Sequence, residues 1–271
     1  MNALELLRQD PYAVADHAAN NLCRMTGVDQ FNVAIILGSG WDTMITSLGK
    51  APRMACPVTS FPGFLPSTVA GHAGDVIWFP VGDRQVLAFS GRKHLYEEVD
   101  GQPIPIAATV HAVRVAAAAG CKSILLTNAV GGTSSYHPVG RAMVIKDHFS
   151  LFVPSPLSGP RFLQCKEVYS RRLRALSTLL GLPEGVYTQI RGPHFETPFE
   201  YSVLRQLGVD IVGMSIATEA LAARDVGMEV LAISCITDVA GQETNHHDVL
   251  AVVRETAAEL GPGLAEVIKQ M

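Results

Sequence analysis

Residues 32–40 read NVAIILGSG, and this short stretch contains the pattern that decides the fold. The run Asn32–Leu37 is rich in β-branched residues and stops at a glycine, which predicts a short buried strand. The glycines on either side of Ser39 let a ligand approach the backbone closely, and free N–H groups there can bind an anion. The loop has neither the Walker A lysine nor the G-x-G-x-x-G pattern, so a plain strand-to-helix turn remains an equal alternative.

Similar short runs recur along the chain and alternate with segments of helical periodicity. Strands are also predicted at Val76–Phe79, Val86–Phe89, Ser123–Leu126, Ala142–Ile145, Val186–Ile190, Ile211–Gly213 and Val230–Ser234. Helical spacing occurs at Ala3–Thr26, Pro105–Ala119, Ser170–Leu180, Phe199–Leu207, Ala217–Gly227 and His247–Leu260. This alternation predicts an α/β fold, a single domain over residues 1–271, with a mixed, mainly parallel central sheet flanked by helices. Ligands of such sheets bind outside the carboxyl ends of the strands.

The composition argues against several classes of function. The 271 residues are 48% hydrophobic and carry a net charge of -4, which favours a packed core and no nucleic-acid partner. Five widely spaced cysteines without a C-x-x-C pair indicate reduced thiols, not a disulfide framework or a zinc site. The polar first ten residues do not match a signal peptide, and the apolar stretch Ile104–Gly120 is too short to span a bilayer. We therefore expect a cytoplasmic protein with no membrane partner and no bound metal.

Groups able to bind an anion follow the strand Val86–Phe89. In an extended segment, Arg92, His94 and Tyr96 would lie on one side. Arginine can contact an anion with two parallel N–H groups, and histidine adds another donor. Upstream, His72 lies between glycines in a loop. A solvated basic turn is an equally good interpretation of Arg92–Tyr96 taken alone.

Two further strand ends carry residues suited to a flat or anionic ligand. The segment Thr127–Thr133 follows a strand and joins a polar pair to small residues and a double glycine, so its backbone could approach a ligand closely. After Val186–Ile190, Phe195 and Glu196 combine a ring that can stack on a heterocycle with a carboxylate that can bind its edge. Alternatively, Glu196 belongs to the first turn of the next helix, where acidic residues are favoured.

Ser215 offers a rival function. The segment Gly213–Ala217 is similar to the G-x-S-x-G nucleophile elbow with its last glycine replaced, which would make the protein a serine hydrolase. Asp238 and His246 follow in the required order but are too close in sequence for separate strand-end loops. Asn245 is expected as a helix N-cap, and the adjacent histidines after it point in different directions, which argues against a metal site.

Taken together, these segments resemble the trimeric purine nucleoside phosphorylases, in order and over most of the chain. Any single segment is ordinary, whereas the whole set in this order and spacing is highly specific. The length also suits the bacterial members, including the subgroup that cleaves xanthosine. The similarity is carried by Leu37–Gly40, Gly71–Gly74, Gly91–Glu97, Thr127–Gly132, Asp147-His148, Gly192–Thr197, Val212–Ser215, Ile236–Asp238 and Asn245-His246.

The resemblance implies phosphorolysis of a purine nucleoside in a homotrimer, with inorganic phosphate as co-substrate and no cofactor. Its implied phosphate pocket consists of Ser39, His72, Arg92, His94, the backbone at Ala129 and Ser215. Its implied nucleoside site consists of Tyr96, Met214 and His246 around the ribose, and Phe195, Val212, Glu196, Asp238 and Thr237 around the base. Glu196, Asp238 and His94 are the expected catalytic residues.

The chemistry can also be argued on physical grounds. Cleavage of an N-glycosidic bond builds positive charge on the ribose and negative charge on the departing purine. A phosphate dianion beneath C1′ stabilises the cation and then attacks it, while a hydrogen-bonding group at N7 stabilises the base. A non-catalytic nucleoside-binding protein on the same fold is the remaining alternative, although every implied phosphate ligand is present.

The sequence departs from the family pattern at two places. Members specific for 6-oxopurines usually have asparagine where Asp238 stands, and a carboxylate can only accept hydrogen bonds where an amide can also donate. The loop after Tyr96 reads Glu97-Glu98-Val99-Asp100-Gly101, not the usual Glu-Gly-Tyr. We therefore expect a broadened enzyme that cleaves 6-oxopurine nucleosides and also accepts adenosine.

Overall fold

The computed structural model describes residues 3–48, 51–66, 68, 74–240 and 246–271, and only the backbone of His246 and His247. A nine-stranded sheet lies at its centre in the order β10-β9-β8-β11-β7-β1-β4-β3-β2. These strands are β1 Val33–Leu37, β2 Met54–Pro57, β3 Asp75–Val81, β4 Arg84–Ser90, β7 Ser123–Gly132, β8 Ala142–Phe149, β9 Glu184–Gln189, β10 Ile211–Gly213 and β11 Glu229–Val239. A short hairpin, β5 Glu98–Val99 and β6 Gln102–Pro103, stands apart.

The sheet is mixed, as the sequence predicts. Parallel pairing joins β4, β1, β7 and β11, and also β8, β9 and β10, whereas β2–β3, β3–β4 and β8–β11 are antiparallel. Strand β10 also pairs with the end of β7, Val212 opposite Gly131, so that five strands close on themselves. The closure brings the ends of β7, β10 and β11 together.

Helices cover both faces of the sheet, which confirms the predicted fold class. They are α1 Ala3–Gln9, α2 Pro11–Thr26, α3 Thr43–Ser47, α4 Ile106–Thr109, α5 His111–Ala118, α6 Arg171–Leu176, α7 Pro198–Gln206, α8 Ile216–Asp225 and α9 His246–Gln270. Local signals set several ends: the Asp10 carboxylate accepts from two N–H groups at the start of α2, and Gly27, with φ 68°, ends it in the left-handed conformation. No helix in the described ranges is long and apolar enough to cross a membrane. The single-domain boundary, residues 1–271, stays a prediction.

Strand β1 is buried on both faces because it lies inside the sheet between two layers of helices. Ala34 and Ile36 pack into one core with α2, α5 and α8. Val33, Ile35 and Leu37 pack into the other core, which includes residues of α3 and α9. The unbroken β-branched run at this position is thus what a strand covered on both sides requires.

Several predicted boundaries were wrong. The segment Thr127–Gly132, expected to follow the strand that ends at Leu126, belongs to β7 itself, because its residues pair with β11 along its whole length. Strand β11 likewise continues to Val239, with an irregularity at Thr237. The helix predicted at Pro105–Ala119 divides at Val110, whose φ of −116° is not helical.

The remaining differences concern the ends of two helices and four elements that the sequence did not predict. The segment Ser170–Leu180 forms α6 with Ser170 as its N-cap and then tightens into a 3₁₀ turn at Ser177–Leu180. The last helix passes the predicted end at Leu260 and continues to Gln270. Strands β2, β5 and β6 and helix α3 were not predicted at all.

Candidate active site

One cleft gathers most of the residues predicted to act. It lies where β1, β4, β9 and β10 end and where the extended parts of β7 and β11 run past them. The predicted residues that line it are Ser39, Arg92, His94, Tyr96, Ala129, Phe195, Glu196, Val212, Met214, Ser215, Thr237 and Asp238. His72 and Asn245 lie outside the described residues, and of His246 only its place at the start of α9 is described.

Arg92 is held at the cleft by a buried ion pair. Its Nε and Nη2 donate to the two carboxylate oxygens of Glu219 at 2.8 and 3.1 Å, and its Nη1 donates to the Thr127 carbonyl at 2.7 Å. Both side chains of the pair are only 3% exposed. The arginine turns inward to α8, because Glu219 neutralises its charge there, and Arg92, His94 and Tyr96 all line the cleft.

His94 is fixed by the carboxylate of Glu97. Its Nδ1 lies 3.2 Å from Glu97 Oε1, and its ring stacks on Tyr96 with centroids 5.0 Å apart. Although burial opposes it, hydrogen bonds from His94, Lys93 and Thr68 lower the pKa of Glu97 to about 2, so this carboxylate stays ionised. Burial lowers the pKa of His94 despite that neighbour. A neutral ring with its proton on Nδ1, facing Glu97, satisfies these contacts.

Two carboxyl groups face the cleft where β11 and the segment before α7 meet. Asp238 is 7% exposed, and its Oδ1 accepts from the Thr237 hydroxyl at 3.0 Å. Burial raises the pKa of Asp238 against that hydrogen bond. Burial, together with the charge of Asp238, also raises the pKa of Glu196, although its own backbone N–H and the nearby Tyr201 hydroxyl lower it. The two groups therefore hold protons more readily than surface carboxyls.

Comparison with known proteins identifies the family. The model of the Phosphorylase superfamily matches residues 32–271. The chain is 42% identical to the purine nucleoside phosphorylase of Mycobacterium tuberculosis (strain ATCC 25618 / H37Rv) over 267 residues, which cover 96% of this chain and 97% of that one. The chain belongs to the purine nucleoside phosphorylases.

Solved structures agree with this assignment over the full length of this phosphorylase. A Schistosoma mansoni purine nucleoside phosphorylase in complex with adenosine superposes with a TM-score of 0.84 at 26% identity, covering 100% of this chain and 99% of the other. Isoform 2 from the same organism, in complex with cytosine and ribose-1-phosphate, superposes with a TM-score of 0.82 at 31% identity over 96% and 97% of the two chains.

Sequence reasoning missed three residues of this phosphorylase that the fold brings to the site. Glu219 was identifiable, because it is a charged residue on a helix whose neighbours Ile216–Ala220 are all buried, which is unusual unless the charge is paired. Asn128 lines the cleft with its Oδ1 accepting from Ser234, while its buried Nδ2 has no described partner. Tyr201 has no sequence signal, since tyrosine near a helix start is ordinary.

The serine hydrolase interpretation of Ser215 does not agree with the family or the contacts. Ser215 is the residue just before α8 and is buried, and its N–H donates to the Tyr187 hydroxyl at 3.2 Å. Among the residues described, Asp238 pairs with Thr237 and His94 with Glu97. The rival interpretation takes Asp238 as the acid that orients the histidine, but it is the hydroxyl of Thr237 that donates to this carboxylate.

Proposed function

We propose that this phosphorylase cleaves purine ribonucleosides and deoxyribonucleosides with inorganic phosphate, reversibly, to give the free base and the pentose 1-phosphate in cytoplasmic purine salvage. One observation carries the proposal: a single cleft joins the Arg92 guanidinium and the Asn128 amide donor to two carboxyl groups with raised pKa values, Glu196 and Asp238. Such a cleft suits a substrate that is anionic at one part and a hydrogen-bonding heterocycle at another.

The phosphate is proposed to bind at Arg92 and its neighbours. Glu219 and Thr127 fix the plane of the Arg92 guanidinium. Because the Arg92–Glu219 pair has no net charge, the directed N–H groups of the arginine would orient the anion. Inorganic phosphate is the co-substrate, and no metal or organic cofactor is proposed. The remaining proposed ligands are Ser39, His72, His94, Ser215 and the backbone at Ala129.

The ribose is proposed to lie against Tyr96 and Met214. These two side chains meet at Gly192, whose φ of 70° and lack of a side chain leave room for them. His246, at the start of α9, is proposed to reach the 5′-hydroxyl. The Asn128 Nδ2, which is buried without a described partner, can donate to a ribose or phosphate oxygen.

The base is proposed to pack on Phe195 and Val212, with Glu196 accepting from N1–H. As the bond between C1′ and N9 breaks, its electron pair goes to the purine and the phosphate oxygen bonds to C1′. Asp238, oriented by Thr237, would form the hydrogen bond at N7 that stabilises the departing base. Its raised pKa lets it share a proton there.

We propose 6-oxopurine nucleosides as substrates, with adenosine also accepted. An ionised Asp238 can accept a hydrogen bond from the 6-amino group of adenine, whereas the O6 atom of a 6-oxopurine has no proton to donate to it. A protonated Asp238 can donate to O6, so the same side chain would tolerate both classes.

We propose a homotrimer as the working assembly. The segment between β8 and α6 exposes Leu151, Phe152 and Phe162 by 78%, 87% and 90% in the single chain. Large apolar side chains that a single chain leaves this exposed are typical of a surface that another chain covers. Sedimentation equilibrium tests this, and a monomeric mass at micromolar concentration would contradict it.

The proposed reaction is tested by base release from inosine, guanosine, xanthosine and adenosine with and without phosphate. Release that requires phosphate and produces ribose 1-phosphate in equal amount is the expected result. Release at the same rate without phosphate would make the protein a hydrolase, and tight nucleoside binding without turnover would make it a binding protein.

A further inference from the structure

Helix α7 places one buried side chain into the cleft. All of its residues are described, and among them Tyr201 is the buried one, with 8% exposure, while Phe199, two residues earlier, is 76% exposed. The start of the helix is fixed by a reciprocal cap, in which the Thr197 hydroxyl accepts from Glu200 N–H and the Glu200 carboxylate accepts from Thr197 N–H. Tyr201 is thus held on a rigid element.

The Tyr201 hydroxyl lies beside both carboxyl groups of the site. Its proximity lowers the pKa of the Glu196 carboxyl, against the effect of burial, which raises it. A Cβ atom built on Gly131 would lie 3.0 Å from the Tyr201 hydroxyl and 3.0 Å from Asp238 Oδ2, so glycine at this position leaves the space that the two groups share. Burial and the two nearby carboxylates raise the pKa of Tyr201, and the hydroxyl keeps its proton as a donor.

The edge of a 6-oxopurine needs a donor beside an acceptor. Its N1–H donates and the adjacent O6 accepts, so a complementary wall pairs a carboxylate oxygen with a hydroxyl at hydrogen-bonding distance. Glu196 and Tyr201 supply these two groups as neighbours in the cleft, whereas the Thr237 hydroxyl is directed to Asp238. Asp238 donates only when protonated.

We propose that Tyr201 is a specificity-determining residue whose hydroxyl donates to the purine 6-oxygen while Glu196 accepts from N1–H. The assignment rests on the proposed function. On binding, N1–H donates to Glu196, and the Tyr201 hydroxyl proton is directed to O6. Each donor and acceptor of the base edge then has a partner, which favours 6-oxopurines over bases that lack the oxygen.

The test compares inosine with purine riboside, which has no 6-substituent, in Tyr201→Phe. Loss of a neutral donor to a buried acceptor corresponds to about a tenfold effect, so the kcat/KM ratio of inosine to purine riboside should fall about tenfold. Retained turnover of purine riboside shows that the variant is folded. Tyr136→Phe is the matched control, since Tyr136 is 89% exposed, and its ratio should equal that of the unmodified protein. An unchanged ratio in Tyr201→Phe overturns the proposal.

A second measurement distinguishes direct contact between Tyr201 and the purine 6-oxygen from an effect of Tyr201 on the position of Glu196. Calorimetric Kd values for hypoxanthine and unsubstituted purine are determined for Tyr201→Phe in the unmodified and Glu196→Ala backgrounds. A selective loss of hypoxanthine binding in both backgrounds supports direct contact. A loss that disappears with Glu196→Ala assigns Tyr201 to positioning only and overturns the proposal. If no nucleoside is cleaved with phosphate, the proposed function fails, yet these base affinities still decide the role of Tyr201.

Discussion

Replacing Arg92 by methionine should lower both the thermal stability of the protein and its affinity for phosphate. A second substitution, Glu219→Leu, separates the two effects. The guanidinium and Glu219 are each 3% exposed, so Arg92→Met leaves a carboxylate buried without its partner. Removing one member of a buried ion pair costs about 3–5 kcal/mol of the free energy of unfolding. For a chain of this size that corresponds to a fall in Tm of roughly 10 °C.

The second property is phosphate binding. If Arg92 contacts the phosphate, loss of one charge-assisted hydrogen bond, about 1.5–3 kcal/mol, should raise the KM for phosphate at least about tenfold. The double variant Arg92→Met, Glu219→Leu removes both charges. It should regain most of the lost Tm, because an apolar pair of similar volume can replace a buried ion pair, while its phosphate KM stays high.

The assay is inosine phosphorolysis at varied phosphate, alongside thermal melts of each variant. Arg172→Met is the matched control, because Arg172 and Glu229 form an ion pair whose side chains are 49% and 37% exposed. Its Tm should change little, since exposed pairs contribute about 0–1 kcal/mol. A phosphate KM that returns to normal in the double variant would refute a phosphate-binding role for Arg92. A single variant that melts like the unmodified protein would refute the buried-pair argument.

The remaining predictions concern the two carboxyl groups. Glu196→Ala should lower kcat/KM for inosine at least about a hundredfold, roughly 3 kcal/mol, and near-normal initial rates would show that it does not hold the base. Asp238→Asn should raise the ratio of kcat/KM for inosine over adenosine, and a ratio that stays the same or falls would contradict its role at the 6-position. Since burial raises the pKa of Asp238, its ionisation in the folded protein is unfavourable, and Asp238→Asn should raise Tm at neutral pH. That gain should vanish as the pH falls below the ordinary carboxyl range, where aspartate is protonated in both the folded and unfolded states, and a pH series of melts checks it.

The sequence predicts the location of a strand wherever the strand is buried on both faces, because such strands are rich in β-branched residues. Every predicted strand is present, and β1 differs from its prediction only at Asn32. Strand β2 was missed because its four residues alternate in burial at the sheet edge and gain their structure from pairing with β3. The polar ends of β7 and β11 were missed for a related reason: small polar residues have weak strand preference, and only their mutual ladder makes them strands.

Glu196 illustrates how much of the site the sequence could indicate. Its position after a strand suggested either a ligand contact or a helix-start acid. The structure gives the helix-start role to Glu200, which forms the cap with Thr197, so Glu196 lies before the helix and faces the cleft. Local pattern alone could not separate the two, because both acids lie within one turn of Thr197.

The sequence by itself determined which chemical groups follow the strands, and in what order, because burial periodicity and glycine positions are local properties. Only the tertiary structure decided which groups meet. Arg92 pairs with Glu219, 127 residues away, and Tyr201 and Asp238 both lie beside Gly131, which pairs with Val212 of β10. Ion pairs and hydrogen bonds act over a few ångströms in space, and the spacing of residues along the chain does not encode those distances.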